Sequence, residues 1–214
     1  MNKIKYDTDK YNFSDIVKDW LEVEDLTKLH KFKKYKLFKR VNDQSSMWHK
    51  MFYNQIGIDK RFNDLYTNFL EEEIKPKFGE KIIYQKIPTF RVHLPGNIAV
   101  GEFHKDKHYR DKNWAKKVKE TNYYFPLTDA YGTNTVWAET EEDLGDFKPF
   151  DCKHGEYISW DASNLTHGNK INVTSITRVS FDFRVIPESN YIESSHKTIN
   201  VGIPFSLGGY YEKL

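Results

Sequence analysis

Hydrophobic positions recur along the chain at two different periods, and the changeover lies near residue 80. Before it the spacing is helical. Phe62, Leu65, Tyr66, Phe69 and Leu70 follow the i, i+3, i+4, i+7, i+8 rule, and Pro76 stops the run, so the spacing predicts a helix over 60–75. Two shorter helices are predicted ahead of it. One is capped by Ser14 and carries Ile16, Val17, Trp20 and Leu21; the other is capped by Ser45 or Ser46 and carries Trp48, Met51 and Phe52.

After residue 80 the period shortens to two. Strands are predicted over 82–94, 98–106, 121–128, 134–140, 147–151, 156–161 and 177–186. Turns are predicted at Pro95-Gly96-Asn97, Gly132-Thr133-Asn134 and Gly168-Asn169. Strands so punctuated predict a mainly β protein, a sandwich or jelly roll, with the N-terminal helices packed on its outer face. The expected organisation is one structural domain with three parts: a helical region over 1–80, a β core over 81–190 and a tail over 191–214. Within the tail, Leu207–Tyr211 reads equally as a lid over a pocket or as a frayed end.

Alternation also separates two kinds of strand face. In 177–186, Arg178, Ser180, Asp182 and Arg184 fall on one face, and Val179, Phe181, Phe183 and Val185 on the other. In 87–93, Thr89, Arg91 and His93 oppose Phe90 and Val92. In 98–106, Glu102, His104 and Asp106 oppose Ala99, Gly101 and Phe103. Apolar faces are expected to meet the helices. Polar faces carrying arginines and a His/carboxylate pair are expected to line a cavity.

Composition narrows the chemistry. The 15 Phe, 14 Tyr and 5 Trp suit a β framework more than a helical bundle. A net charge of +2, left by 33 basic and 31 acidic side chains, gives no general pull toward nucleic acid or an anionic membrane. A single cysteine, Cys152, excludes an intramolecular disulfide and any thiolate-rich metal site. No apolar run has the length of a membrane span and the N-terminus lacks a signal-peptide core, so the expected compartment is the cytoplasm.

An H-x-D/E pair by itself says little, since about one is expected by chance in a chain of this composition. Two occur, His104-Lys105-Asp106 and His154-Gly155-Glu156. The second carries a turn glycine and reads as a turn entering the strand that starts at Tyr157. The first sits near the end of a predicted strand, where i and i+2 project from one face. Such a pair offers two legs of a 2-His-1-carboxylate triad, and His167, 61 residues past Asp106, supplies the third. Arg178 follows His167 by 11 residues on the polar face of the next strand. Its guanidinium suits the far carboxylate of a dicarboxylate bound at iron, and Ser180 can add a hydroxyl.

H-x-D, a distal His, and R-x-S about ten residues later resemble the Fe(II)/2-oxoglutarate dioxygenase superfamily. The segments VGEFHKD, YFPLTDAYGTNTVWAE, THGNKIN and TRVSFDFRVIP resemble more narrowly its streptomycin-biosynthesis-type branch. The first 80 residues carry no comparable match. The resemblance implies a double-stranded β-helix that uses Fe(II), 2-oxoglutarate and O2. His104, Asp106 and His167 would hold the iron, and Arg178 and Ser180 the 5-carboxylate of 2-oxoglutarate. Decarboxylation to succinate would accompany oxidation of a substrate. With Asp at 106 rather than a small residue, iron keeps no place for chloride, so hydroxylation is expected over halogenation, with desaturation or ring formation left open.

Weaker signals surround these. Asn122 and Tyr124 share one side of their strand and are candidates to meet the cosubstrate or substrate, although ordinary sheet residues alternate in the same way. Trp137, on a face with Thr135 and Glu139, is either a pocket wall or core. Arg184 repeats Arg178 at i+6 and is expected to pair with Asp182, with 2-oxoglutarate or with an anionic substrate; Arg91 and Glu102 complete the polar faces. His108, in a Lys- and His-rich loop over 103–118 that is a candidate gate, reads as a surface residue. Residues 28–40 carry seven Lys/Arg and no acid, interleaved with Leu29, Phe32, Tyr35, Leu37 and Phe38. Such a stripe can bind nucleic acid, but it is more often a solvated face with its apolar members turned inward.

The reading that unites these features is an oxygenase hydroxylating a small polar metabolite such as an amino sugar, sugar or amino acid. Two alternatives stand beside it: an oxygenase acting on protein or nucleic acid, which a broad basic groove beside the iron would favour, and a metal-binding β-barrel module without turnover.

Overall fold

The helices form where the apolar spacing places them. In the computed structural model, which describes residues 1–32, 45–99, 102–194, 196–198 and 202–214, α1 spans Phe13–Leu21, α2 Met47–Gln55 and α3 Lys60–Phe69. Ser46 caps α2, its hydroxyl accepting from His49 N–H. Ser14 does not cap α1. That helix begins after Asn12, and the Ser14 hydroxyl is buried, 3.5 Å from the Leu127 carbonyl. Asp59 caps α3 by accepting from Arg61 N–H, and the helix runs on through a π-helical turn, Leu70–Ile74, to a 3-10 turn at Lys75–Lys77 containing Pro76.

The described residues form ten strands, in chain order β1 (Asn2–Lys5), β2 (Ile82–Gln85), β3 (Thr89–His93), β4 (Thr121–Pro126), β5 (Val136–Ala138), β6 (Lys148–Pro149), β7 (Glu156–Trp160), β8 (His167–Asn169), β9 (Arg178–Pro187) and β10 (Tyr211–Lys213). A short helix, α4 (Lys112–Lys117), lies between β3 and β4. Seven strands form one sheet in the order β1-β7-β4-β9-β2-β10, with β3 also pairing β9; β6-β5-β8 form a second sheet. Every ladder between these strands is antiparallel. The architecture is thus mainly β with flanking helices, as expected.

Both faces of the large sheet are used. On one, Phe90, Val92, Val179, Phe181, Phe183 and Val185 pack with Phe13, Val17, Trp20, Phe52, Phe62 and Phe69 from the helices. Each such burial contributes about 1.5–3 kcal/mol, so this shared core ties helices to sheet. On the other face, Tyr124, Ile158 and Trp160 meet Ala138, Phe150 and Leu165 beneath the small sheet. The alternation read in 87–93 and 177–186 therefore holds: the apolar sides meet the helices.

Four expectations need correction. The strand expected over 82–94 breaks into β2 and β3 around Pro88, which has no N–H to offer a ladder. The strand expected over 98–106 does not form among its described residues; residues 100–101 lie outside them. His104 makes only an isolated bridge to His167, and Asp106 opens a 3-10 turn ending at Tyr109. The turn expected at Gly168-Asn169 lies inside β8, where a Cβ on Gly168 would stand 2.9 Å from the Phe103 ring. The tail is not frayed: Tyr211 is fully buried and β10 pairs with β2. Of the basic stripe, Leu29 is buried in a 3-10 turn at Leu26–Lys31, and residues 33–40 lie outside the described residues. No helix among the described residues is long and apolar enough to cross a membrane.

Candidate metal centre

Between the two sheets lies a cavity of about 80 Å³. Strands β3, β4 and β9 supply Arg91, Asn122, Tyr124, Arg178, Asp182 and Arg184 to its wall. His104, Asp106 and His167 close it from the side of the small sheet. The ring centroids of His104 and His167 are 4.4 Å apart, brought together by a reciprocal pair of backbone hydrogen bonds of 2.9 Å. Asp106 reaches the same point from the first residue of its 3-10 turn, not from a strand. Its Oδ1 lies 3.5 Å from His104 Nε2 and 3.7 Å from His167 Nε2. One donor atom from each of the three residues falls within 4.8 Å of the other two, so the set can hold a metal ion.

The surroundings prepare those atoms. His104 Nδ1 lies 2.7 Å from the Glu102 carbonyl, and His167 Nδ1 3.0 Å from the Leu165 carbonyl. Each carbonyl keeps the proton on Nδ1, which leaves the Nε2 lone pair for a metal. Glu102 thus contributes its backbone, and its exposed side chain is not part of the cavity. Burial disfavours the imidazolium at both histidines. At His104 the Asp106 carboxylate outweighs that effect and the pKa is raised; at His167 burial prevails and it is lowered. Burial alone would raise Asp106, but Arg184 and His104 hold its carboxyl well below the usual range.

Arg184 is the surprise of the site. Its Nη2 donates to Asp106 Oδ2 at 2.7 Å, while Nη1 donates to the Tyr210 hydroxyl at 2.7 Å and to Gln85 Oε1 at 3.2 Å. Asp182, one of its three expected partners, is 4.0 Å from Nη1, at the limit of an ion pair, and lies closer to Arg91, Nε to Oδ1 at 3.2 Å. Asn122 lies beside the same Asp106 oxygen, with Nδ2 at 3.4 Å. Oδ2 is therefore occupied, and Asp106 has one oxygen, Oδ1, to offer a metal.

Arg178 is 1% exposed at the other end of the cavity. Its Nε donates to the Asn134 carbonyl at 3.0 Å and its Nη1 to Ser180 Oγ at 2.8 Å. Nη2 has no acceptor among the described residues. The Tyr124 ring lies 6.0 Å from this guanidinium, and its hydroxyl accepts from Thr135 at 3.3 Å. Burial raises the Tyr124 pKa, so the phenol stays neutral.

Trp137 is placed elsewhere. Its indole donates to the Gly132 carbonyl and lies under Lys170, whose Nζ is 3.2 Å from the ring centre; Val136 takes the place in the cavity wall. Glu139 braces loops by accepting from Thr166 and Gly145 N–H. His108 is exposed and His154-Gly155-Glu156 is the turn into β7, both as expected. Sequence reasoning missed Trp160, whose ring stands perpendicular to His167 at 4.7 Å, although period two along β7 sets it opposite Tyr157. It also missed Tyr210, which no local pattern links to Arg184.

No protein-family model matches the chain. The streptomycin biosynthesis protein StrG of Streptomyces griseus is 36% identical over 211 residues, covering 98% of this chain and 96% of that one. The chain belongs to the StrG family. The expected resemblance to the streptomycin-biosynthesis-type branch is thereby borne out. Among solved structures, the apoform of EctD from S. alaskensis superposes on this StrG-family chain with a TM-score of 0.50 at 16% identity, covering 96% of this chain and 78% of that one. That likeness is one of fold. Apo ThoJ, a non-haem monooxygenase, superposes with a TM-score of 0.49 at 12% identity over 92% of this chain and 78% of its own.

Proposed function

We propose that this StrG-family protein is an Fe(II)- and 2-oxoglutarate-dependent oxygenase that hydroxylates a small polar metabolite. The observation that carries the reading is the donor set: two Nε2 atoms and one carboxylate oxygen on one side of a cavity, with a buried arginine on the other. Two histidines and one carboxylate leave open positions on a metal, the arrangement of non-haem Fe(II) oxygenases. The two antiparallel sheets facing each other across the cavity are read as the halves of a double-stranded β-helix.

When bound, Fe(II) with 2-oxoglutarate and O2 supplies the oxidising power for C–H hydroxylation, and 2-oxoglutarate leaves as succinate and CO2. The protein's own residues position and shelter. His104 and His167 present Nε2 because backbone carbonyls hold their Nδ1 protons. Arg184 and Asn122 turn Asp106 so that Oδ1 faces those histidines. Arg178 and Ser180 receive the far carboxylate of 2-oxoglutarate by charge-assisted hydrogen bonds, with Tyr124 alongside. Val136, Trp160 and Ala162 add an apolar wall that keeps water from the reacting centre. The small cavity suits a small substrate over a macromolecule, and the single buried Cys152 fits the proposed cytoplasmic setting.

The test is turnover. Protein supplied with Fe(II), 2-oxoglutarate, ascorbate and air should form succinate above a metal-free control, and the His167→Ala variant should not. Equal succinate in all three samples would remove the proposal.

A further inference from the structure

Beside the metal cavity lies a second, larger one of about 840 Å³, and Trp160 belongs to the walls of both. Its lining is unusually cationic. Lys107, Arg110, Lys112, Lys116 and Lys119 stand against two carboxylates, Glu120 and Asp161. The carboxylates are already engaged. Glu120 is buried between Arg110 Nη2, 3.3 Å from each oxygen, and the Tyr211 hydroxyl at 2.6 Å. Asp161 accepts from Asn164 N–H at 3.0 Å and from its side-chain amide at 2.8 Å.

The cations are less fully matched. Lys107 is shared between Glu142 and Asn164. Lys112, Lys116 and Lys119 are exposed and have no carboxylate within ion-pair distance among the described residues. Lys112 and Lys116 are one turn apart on α4, so their side chains share a face. The Arg110 side chain is 6% exposed and stacks 3.7 Å over Phe205, and its buried Nη1 has no acceptor among the described residues. Three lysines without ion-pair partners among the described residues, lining a cleft whose two carboxylates are already engaged, call for an oxyanion.

We infer that this cleft binds the anionic group of the substrate, and that the substrate is a phosphate ester of a small polar metabolite. The inference rests on the proposed function, because it takes the cleft and the metal cavity, which share Trp160 in their walls, as two parts of one substrate site. It also sets aside a substrate carrying only amino groups, which the unpaired Lys112, Lys116 and Lys119 would repel. Lys107 lies within the turn that starts at Asp106 and Arg110 directly follows its end, so the phosphate is held by the same segment that carries the proposed metal ligand. Most of the substrate rests in the larger cleft, and only its reacting end enters the smaller cavity.

The test is calorimetric titration of the full-length protein with glucose 6-phosphate, glucose and inorganic phosphate at two salt concentrations. Glucose 6-phosphate and phosphate should bind, more weakly at higher salt, and glucose should not. The K112E/K116E variant should weaken both at least tenfold, while K77E, on an exposed turn elsewhere, should change neither. Equal binding of glucose and its phosphate, no binding of either anion, or indifference to K112E/K116E would overturn the inference. So would binding of a single-stranded RNA 20-mer without binding of either phosphate. Anaerobic addition of Fe(II) and 2-oxoglutarate to the same protein separates the two claims. A visible charge-transfer band without phosphate binding removes this inference and leaves the oxygenase reading. Phosphate binding without the band keeps the cleft as an anion site and removes the oxygenase reading.

Discussion

Arg184 Nη2 stands 2.7 Å from Asp106 Oδ2, and Asp106 Oδ1 faces two imidazole Nε2 atoms at 3.5 and 3.7 Å. The arginine thus divides the work of one carboxylate: one oxygen is tied to the sheet, the other is left for a metal. A glutamine at 184 keeps a donor but loses the charge and the reach. Arg184→Gln should lower Fe(II) affinity by about 10- to 100-fold, the usual effect of losing a partner that orients a ligand. Tyr210→Phe, which removes one hydroxyl from the same guanidinium, should cost less. Anaerobic metal titration measures both, and unchanged affinity in Arg184→Gln would show that Asp106 is oriented by other means.

Arg178 should act on the cosubstrate and not on the metal. Removing a buried charged partner costs about 2–5 kcal/mol, which is roughly 30-fold or more in affinity. Arg178→Ala should therefore retain Fe(II) and bind 2-oxoglutarate at least 30-fold more weakly. Cosubstrate affinity equal to that of the unaltered protein would mean that another arginine, Arg91 or Arg184, receives the carboxylate.

Gly168 lets the Phe103 ring lie against the bridge that joins His104 to His167. A methyl group there would meet ring atoms at 2.9 and 3.0 Å and the Phe103 Cα at 3.1 Å. Gly168→Ala should destabilise the fold by about 1–3 kcal/mol through overpacking. It should also weaken metal binding, because both histidines sit on the displaced segments. Adding Phe103→Ala should recover part of the stability. Urea unfolding of the single and double variants checks this, and a fully stable Gly168→Ala would show that the bridge has slack.

Two buried histidines away from the proposed ligands make stability depend on pH. Burial lowers His49 to about 3, aided by Arg91 and Arg178, and lowers His93 to about 3, aided by Arg178. The unfolded chain takes up a proton on each near pH 6.5, and the folded chain refuses it. Their contribution is therefore complete above pH 6.5 and is lost as the pH falls toward 3. Lowering the pH from 7.5 to 5.5 should cost about 3 kcal/mol for the pair. His49→Gln should remove about half of that dependence in urea titrations at the two pH values. An unaltered dependence in that variant would place its source elsewhere.

Strand phase in β9 was legible because Val179, Phe181, Phe183 and Val185 are buried under the helices. Every second residue was therefore turned to the cavity, which found Arg178 and Arg184 together. The pair His104 and Asp106 was found for a reason that did not hold. No strand forms over the described part of 98–106, and the two side chains meet because a bridge to His167 ends where a 3-10 turn begins. Short edge strands escaped notice for a related reason. Asn2–Lys5 has one apolar residue, and Tyr211–Lys213 is only three residues long, in a tail that reads as a lid or a frayed end. The partnership of Arg184 with Asp106 and Tyr210 crosses 78 and 26 residues, and nothing local encodes it.

The most direct test of the proposed centre is an anaerobic Fe(II) titration, followed by 2-oxoglutarate, with the visible spectrum recorded at each step. The account predicts no visible band with Fe(II) alone and a charge-transfer band when 2-oxoglutarate is added. It predicts no band in His104→Ala or His167→Ala, and in Arg178→Ala a band only at much higher 2-oxoglutarate. A protein that binds Fe(II) yet shows no band at saturating 2-oxoglutarate, or a band that survives loss of His167, would contradict it.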